Sequence, residues 1–244
     1  MNAATIGATY GIPGNTGAFK RTVSGVRRGV LVLLLGAVLP VAAQNAKADA
    51  ATAAPPPPVA TTAAAVSTSA PIADADLVQA LRRGGLVVYF RHTATDFSRD
   101  DSKMRDFDDC ANQRLWSPTG RADALAIGGH WKRLNIRADA VLASPYCRTR
   151  DVAQLMFGRH QRSAEMRGGP ISGAADRYAG LKRLLSTARV PGANLVISSH
   201  GNPWQAVAGA PYLSEGEAAV VRPQGEGRWE LLARLRVEDW GRLK

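Results

Sequence analysis

Three short apolar runs constrain what this chain can fold into more than any other feature of its sequence. They span residues 86–90, 140–143 and 194–199. The first run is apolar at every position, which is typical of a strand buried on both faces of a sheet, and the other two have the length of strands. Stretches with helical periodicity lie between them, the first carrying Leu77, Val78 and Leu81 on one side. The alternation predicts an α/β fold, a three-layer sandwich with a mainly parallel central sheet flanked by helices.

Two further segments refine this prediction. Ser117-Pro118 predicts the start of a helix, because serine is a good N-cap and proline suits the first helical turn. The inward face of that helix is predicted to carry Ala122, Leu125, Ala126, Gly129 and Leu134. Residues 229–235 predict a late strand at an edge of the sheet.

The front of the chain predicts an export signal and a linker. Arg27 and Arg28 precede an apolar run over residues 30–43, and small-residue cleavage sites follow. This order is typical of a secretory signal peptide, and the run is shorter than the roughly 20 residues of a membrane-spanning helix. The predicted division is a signal peptide region (1–50), a linker rich in Pro, Ala and Thr (51–71) and a folded domain (72–244). We therefore expect a periplasmic or secreted protein without stable membrane insertion after cleavage; an uncleaved anchor is the alternative.

The charge balance favours anionic ligands. The chain has 31 Lys and Arg against 20 Asp and Glu, a formal net charge of +11. The basic residues are interspersed with acidic ones and form no long run, so nucleic acid is not an expected partner.

Histidine and arginine residues gather where the three apolar runs end. Arg91-His92 follows the first run, Arg148 lies just beyond the second, and His200-Gly201 follows the third. In parallel sheets, ligands bind beyond the carboxyl ends of the strands. One such histidine alone would more often be structural, but the combination predicts a site for an anion.

The combination resembles the histidine phosphatase superfamily, the phosphoglycerate-mutase-like proteins, over nearly all of residues 77–240. Phe90-Arg91-His92-Thr93 resembles the family's Arg-His-Gly motif. Residues 115–124 resemble the following helix start, residues 141–150 the segment with the second phosphate-binding arginine, and residues 195–201 the segment with the second histidine. Further residues resemble a secreted bacterial branch of the superfamily. These are Cys110, Gln113, Arg114 and the segment 215–218.

The resemblance implies an exported phosphomonoesterase that works through a phosphohistidine. His92 would attack phosphorus, Arg91 and Arg148 would grip phosphoryl oxygens in a bidentate manner, and His200 would stabilise the transferred charge. Thr93, which replaces the usual glycine, and Gly201 are included among the predicted phosphate-binding residues. The resemblance implies no metal and no other cofactor. The expected substrate is a phosphorylated small molecule or an envelope component.

The leaving alkoxide needs a proton, and the sequence offers three carboxyl groups for that role. Glu165 is the favoured general acid, and Asp176 and Asp96 are the alternatives. The sequence is at least equally compatible with Glu165 as a solvated loop charge and Asp176 as a charge on a helix face.

A dense acidic stretch follows the first motif. It contains Asp96, Asp100, Asp101, Asp106, Asp108 and Asp109. The stretch lacks the ligand spacing and internal glycine of a calcium loop. We interpret it as a solvated lid that repels some anions and thereby shapes substrate choice.

Cys110 and Cys147 are the only two cysteines in the chain. In an oxidising compartment an even pair favours a disulfide, which here would join the acidic stretch to the neighbour of Arg148. Two free thiols are the alternative.

A second function of another class stays open at this point. Without a competent acid, the same Arg and His cluster would serve a non-catalytic periplasmic module that binds phosphosugars or other phosphorylated envelope ligands.

Overall fold

The computed structural model describes residues 66–68, 72–168 and 176–244. The strands are β1 (Val66–Thr68), β2 (Val87–Arg91), β3 (Ala138–Ala143), β4 (Gln161–Arg162), β5 (Asn194–Ser199), β6 (Ala218–Gly225) and β7 (Arg228–Leu235). The α-helices are α1 (Asp74–Arg83), α2 (Pro118–Arg133), α3 (Cys147–Phe157), α4 (Ala179–Ser186), α5 (Gly201–Ala208) and α6 (Asp239–Arg242). Every helix in these ranges is too short or too polar to cross a lipid bilayer.

The seven described strands form one sheet in the order β1-β7-β6-β2-β5-β3-β4. β2, β5, β3 and β4 run parallel, β6 is antiparallel to both of its neighbours, and β1 is parallel to β7. In the pairing register, Arg91 lies opposite Ser199 and Ala143 opposite Ser198. The mainly parallel sheet predicted from the sequence is confirmed, and the three central strands end at the same edge.

Helices cover both faces of this sheet, which gives the predicted three layers. Val88 and Phe90 of β2 pack in an apolar core with α1, α2, α3 and α6. The alternate residues Val87 and Tyr89 pack in a second core with α4 and α5. Because β2 is buried on both sides, its sequence is apolar at consecutive positions.

The inward face of α2 differs from the prediction. Leu125, expected inside, is 45% exposed, and the prediction was wrong for Ala122, Ala126 and Gly129 as well. The buried residues of α2 are Gly120, Ala124, Ile127, Gly128 and Trp131. This face includes small residues because α2 lies close to the backbone of neighbouring segments. A Cβ at Gly128 would be 2.5 Å from the carbonyl oxygen of Met156.

Strand β1 lies within the range predicted to be linker. Its pairing with β7 means that β7 is not at the edge of the sheet, contrary to the prediction. The predicted signal peptide region and the remainder of the linker lie outside the described residues.

Gly128 and Gly129 provide a test of this helix contact. Gly128→Ala is expected to lower the free energy of unfolding by about 1–3 kcal/mol, because the new methyl group would overlap the Met156 backbone. Gly129→Ala is expected to raise it by about 0.5–1 kcal/mol, since no atom lies within 4 Å and alanine favours the helix. Urea unfolding of both variants checks this. Equal effects of the two substitutions would contradict the proposed packing.

Candidate active site

The backbone at the end of β2 holds His92 from two sides. The His92 amide donates to the Ser199 carbonyl at 2.9 Å, and the His92 carbonyl accepts from the Gly216 amide at 2.9 Å. The first bond continues the pairing of β2 with β5 by one residue beyond the strand. The position of His92 is therefore set by the sheet itself.

The side chain of His92 is neutral and has one ring nitrogen available. Its Nδ1 lies 3.0 Å from the Thr93 carbonyl oxygen, which only accepts hydrogen bonds, so Nδ1 carries the proton and Nε2 carries the lone pair. His92 is 2% exposed. Burial lowers the pKa of His92 to about 3, and the charges of Arg148, Arg91 and Arg114 act in the same direction against the Thr93 hydrogen bond. A neutral imidazole with a free Nε2 is the form that can act as a nucleophile.

His200 follows β5 and faces His92 across the site. The ring centroids of the two histidines are 5.5 Å apart, in an edge-on arrangement. Its Nε2 lies 2.8 Å from the Ser144 hydroxyl oxygen, and its backbone carbonyl accepts a hydrogen bond from Tyr89 at 2.7 Å. Burial, together with the nearby His92 and arginine charges, lowers the pKa of His200 well below its usual value. The second histidine is therefore also uncharged in this arrangement.

Arg91 approaches the site from the end of β2. Its Nη1 donates to the Leu213 carbonyl at 2.7 Å, and its Nη2 lies 3.5 Å from Glu215 Oε1. The guanidinium lies over the Tyr212 ring, 5.0 Å from the ring centroid. These contacts orient the guanidinium, which is a planar fork suited to phosphoryl oxygens.

Arg148 lies in the first turn of α3 and its side chain is only 6% exposed. Its Nη1 donates to Asp101 Oδ1 at 3.0 Å and to the Arg114 carbonyl at 3.2 Å. The guanidinium lies over the Tyr146 ring, 4.4 Å from the centroid. The second predicted arginine is thus held between the acidic stretch and an aromatic side chain.

Cys110 and Cys147 form a disulfide with a Cα–Cα distance of 5.7 Å, which confirms the predicted pairing. The bond ties the acidic stretch to the first residue of α3, directly before Arg148. Gln113 adds a second tie, since its Oε1 accepts a hydrogen bond from the Cys147 amide at 2.9 Å. The wall that carries Arg148 is therefore anchored to the acidic loop.

These side chains surround a cavity of about 310 Å³. It is lined by Arg91, His92, Asp101, Arg114, Tyr146, Arg148, Gly168, His200, Gly201, Asn202 and Tyr212. The structure thus brings together Arg91, His92, Arg148, His200 and Gly201, which the sequence placed in one site. The Nε atoms of Arg91, Arg114 and Arg148 are buried and make no hydrogen bond to any described residue. Three guanidinium groups beside two neutral imidazoles suit a compact, multiply charged anion.

Two of the predicted phosphate-binding residues have distinct positions. Gly201, the first residue of α5, lines the cavity, and a Cβ there would lie 2.2 Å from the Tyr212 ring. Glycine is needed for that close approach. Thr93 is fully buried outside the cavity lining, and its carbonyl, rather than its hydroxyl, serves the site by holding His92.

None of the three carboxyl groups proposed as the acid lines the cavity. Glu165 is 45% exposed at its side chain and pairs with Arg183 at 3.0 Å. Asp176 pairs with Lys182 at 2.8 Å, and Asp96 accepts hydrogen bonds from Ser98. Their contacts are those of surface charges.

The cavity also contains residues that sequence reasoning did not assign to it. Arg114 was noted only for the resemblance it carries, and Asp101 only as one of six acidic residues. Tyr212 follows no motif, because its approach depends on how the 209–217 segment folds back over α5. Asn202 directly follows the His200-Gly201 motif in α5, and the sequence analysis did not single it out. Within the described ranges, no group of three or more His, Cys, Asp or Glu side chains is placed to hold a metal ion.

Comparison with known proteins finds similarity only among solved structures. No family model and no curated protein matches the sequence. The protein histidine phosphatase SixA complexed with tungstate is 15% identical, with a TM-score of 0.47 over 63% of this chain and 98% of that chain. The mycobacterial glucosyl-3-phosphoglycerate phosphatase with inorganic phosphate is 14% identical, with a TM-score of 0.47 over 64% and 99%. A phosphoserine phosphatase mutant from Entamoeba histolytica, in complex with phosphoserine, is 14% identical, with a TM-score of 0.42 over 63% and 98%. At these identities and TM-scores the matches assign no activity to this chain.

The buried state of His92 predicts how stability depends on pH. Between pH 6.5 and about 3 the unfolded chain binds a proton at His92 and the folded chain does not. Acidification through this window therefore lowers the free energy of unfolding, by up to about 1.4 kcal/mol per pH unit for this residue. His92→Gln should remove that part of the slope, whereas the partly exposed His130→Gln should leave most of it. Urea unfolding between pH 6 and pH 4 measures the slopes, and parallel slopes for all three chains would contradict a neutral, buried His92.

Proposed function

We propose that this chain is an exported phosphomonoesterase of the histidine phosphatase superfamily that forms a phosphohistidine at His92. The observation that carries the proposal is the state of His92: neutral, with Nδ1 bound to the Thr93 carbonyl and Nε2 left as the nucleophile. Arg91, Arg148 and His200 line the same cavity. A nucleophile surrounded by groups that bind phosphoryl oxygens suits in-line attack on a phosphate ester.

In the first step, the Nε2 lone pair of His92 attacks phosphorus and the bond to the ester oxygen breaks. Arg91 and Arg148 bind the equatorial oxygens, where charge is spread in the transition state. The arriving anion favours protonation of His200, which then stabilises the transferred group. Water completes the cycle by hydrolysing the phosphohistidine and releasing inorganic phosphate.

Three features support export and a small substrate. The front of the chain has the order of a signal peptide, and the disulfide between Cys110 and Cys147 suits an oxidising compartment such as the periplasm. A cavity of about 310 Å³ is at the small end of the range for ligand sites. We propose a phosphorylated small molecule, or a phosphorylated part of an envelope component, as the substrate.

The absence of all three predicted acids from the cavity lining favours a second candidate, a binding module for phosphorylated envelope ligands. An aryl phosphate separates the two candidates, because an aryl leaving group departs without a proton. An enzyme with this site would hydrolyse it, and a pure binding module would not.

The proposed nucleophile predicts the outcome of His92→Ala. The whole chain, purified without reductant, should hydrolyse p-nitrophenyl phosphate in the presence of EDTA, and His92→Ala should lower kcat/KM at least about 1,000-fold. His130→Ala, in α2 and away from the cavity, is the matched control and should retain activity. Wild-type turnover by the His92→Ala chain would show that the nucleophile lies elsewhere.

The planar grip of Arg148 predicts a selective loss of anion binding. Arg148→Lys keeps the charge but not the bidentate geometry, so the affinity for inorganic phosphate should fall about 10-fold or more. Arg105→Lys is the control, because Arg105 is exposed on the acidic stretch and pairs with Asp109. Isothermal titration calorimetry of both variants measures the affinities. Equal affinities would mean that Arg148 does not hold the anion.

A further inference from the structure

We propose that Asp101 is the general acid of this site, in the place that the sequence assigned to Glu165. The inference rests on the proposed phosphomonoesterase function and adds the residue that protonates the leaving group. It extends the range of substrates to alkyl phosphates, whose alkoxide leaving groups depart slowly without a proton.

Asp101 is the only carboxyl group that lines the cavity within the described residues. The nearest rival inside the fold is Glu215, whose Oε1 lies 3.8 Å from His92 Nδ1. Both Glu215 oxygens are already engaged, since they accept hydrogen bonds from the Thr95 amide and hydroxyl and from Arg91. Glu215 therefore stabilises the segment around His92, through Arg91 and Thr95. Asp101 is the carboxyl group that a ligand in the cavity would contact.

The contacts of Asp101 leave one of its oxygens available. Both of its hydrogen bonds are made to Oδ1, from Arg148 Nη1 at 3.0 Å and from the Arg114 amide at 2.9 Å. No described residue donates to Oδ2. The Asp101 side chain is 29% exposed, so solvent protons reach it. Oδ1 thus positions the group while Oδ2 is left for the substrate.

The acidic loop is held firmly enough to place this carboxyl group reproducibly. The Cys110–Cys147 disulfide and the Gln113–Cys147 hydrogen bond fasten the loop to the start of α3. The Arg114 amide then fixes Asp101 against Arg148 from the other end of the loop. A general acid has to lie within hydrogen-bond reach of the ester oxygen, and a tethered loop meets that requirement better than a free one.

Asp101 alone can carry out both proton transfers of the reaction. As His92 Nε2 bonds to phosphorus, the electron pair of the breaking P–O bond passes to the ester oxygen, which takes the proton from Asp101 Oδ2. The products are an alcohol, phosphohistidine and the Asp101 carboxylate. The carboxylate then accepts a proton from water as the water oxygen attacks phosphorus and the P–N bond returns its electrons to Nε2. Free His92, inorganic phosphate and protonated Asp101 result.

Substrate binding supplies the acid in its protonated form. Without an anion, Asp101 pairs with Arg148. A phosphate ester that binds Arg148 lies beside the Asp101 carboxylate, so a proton that the ester carries can pass to Oδ2. Phosphate monoesters retain one proton below pH about 6, so the ester can bring that proton into the cavity.

The test is the leaving-group dependence of Asp101→Asn, in which the amide oxygen can still accept from Arg148 and the Arg114 amide. The measured quantity is kcat/KM, because it reports only the steps up to departure of the leaving group. We expect kcat/KM to fall about 100-fold more on glycerol phosphate than on p-nitrophenyl phosphate, whose aryl leaving group departs without a proton. The ratio of kcat/KM on p-nitrophenyl phosphate to kcat/KM on glycerol phosphate should therefore rise about 100-fold. Asp100→Asn is the matched control and should leave the ratio unchanged. Asp100 is an exposed neighbour of Asp101 that accepts hydrogen bonds from the amide and hydroxyl of Ser102.

Two results would overturn the assignment while the proposed function stood. The first is a ratio that Asp101→Asn leaves unchanged, either with an equal loss on both substrates, which would make Asp101 a positioning residue, or with no loss on either. The second is a raised ratio in Glu165→Gln instead. Wild-type inactivity toward both substrates would contradict the proposed function itself. As a second readout for a poorly folding variant, Asp101→Glu keeps the carboxyl group and should restore most of the activity on glycerol phosphate relative to Asp101→Asn.

Discussion

The parallel pairing of β2, β5 and β3 is the constraint on which the site depends. The three strands end at one edge, and two backbone hydrogen bonds extend their pairing into the loops, from His92 to the Ser199 carbonyl and from Ser144 to the Ser198 carbonyl, each at 2.9 Å. These bonds hold together the loops that follow the three strands, which carry His92, His200 and Ser144. The arrangement of the cavity residues is therefore a consequence of strand order and register, and side-chain contacts refine it.

Burial gives the site its chemical character. The same desolvation that lowers the pKa of both histidines makes an unpaired buried charge costly, so the cavity arginines need partners. Asp101 and Glu215 supply part of that compensation at Arg148 and Arg91. A phosphate dianion supplies more, and it matches the planar forks of the guanidinium groups. The site thus combines a neutral His92 with concentrated positive charge, and the arginine charges act together with burial to keep that imidazole neutral.

Local sequence was sufficient to place the cavity residues that come soon after a strand. Arg91, His92, Arg148, His200 and Gly201 were predicted because each lies within a few residues of a recognisable apolar run, and strand ends in a parallel sheet meet. The fold class was predictable for the same reason. The inner face of α2 was not, because Leu125 is the larger apolar residue and the tight contact with Met156 requires glycine at position 128. Similarly, Asp101 is one of six similar acidic residues in sequence, and only the path of the tethered loop separates it from the others. Glu165 was favoured as one of two carboxyl groups in the segment after Arg148, but it lies at the surface and pairs with Arg183.

The proposed mechanism depends most directly on a covalent bond between phosphorus and His92. The decisive measurement is quenching of the whole chain in alkaline denaturant during turnover of a phosphate ester carrying radiolabelled phosphorus, followed by peptide mapping under neutral and alkaline conditions. We expect an acid-labile, alkali-stable label on the peptide that contains His92, formed in the presence of EDTA and absent from His92→Ala. Turnover without any label on His92, or a label on another residue, would contradict the proposed mechanism.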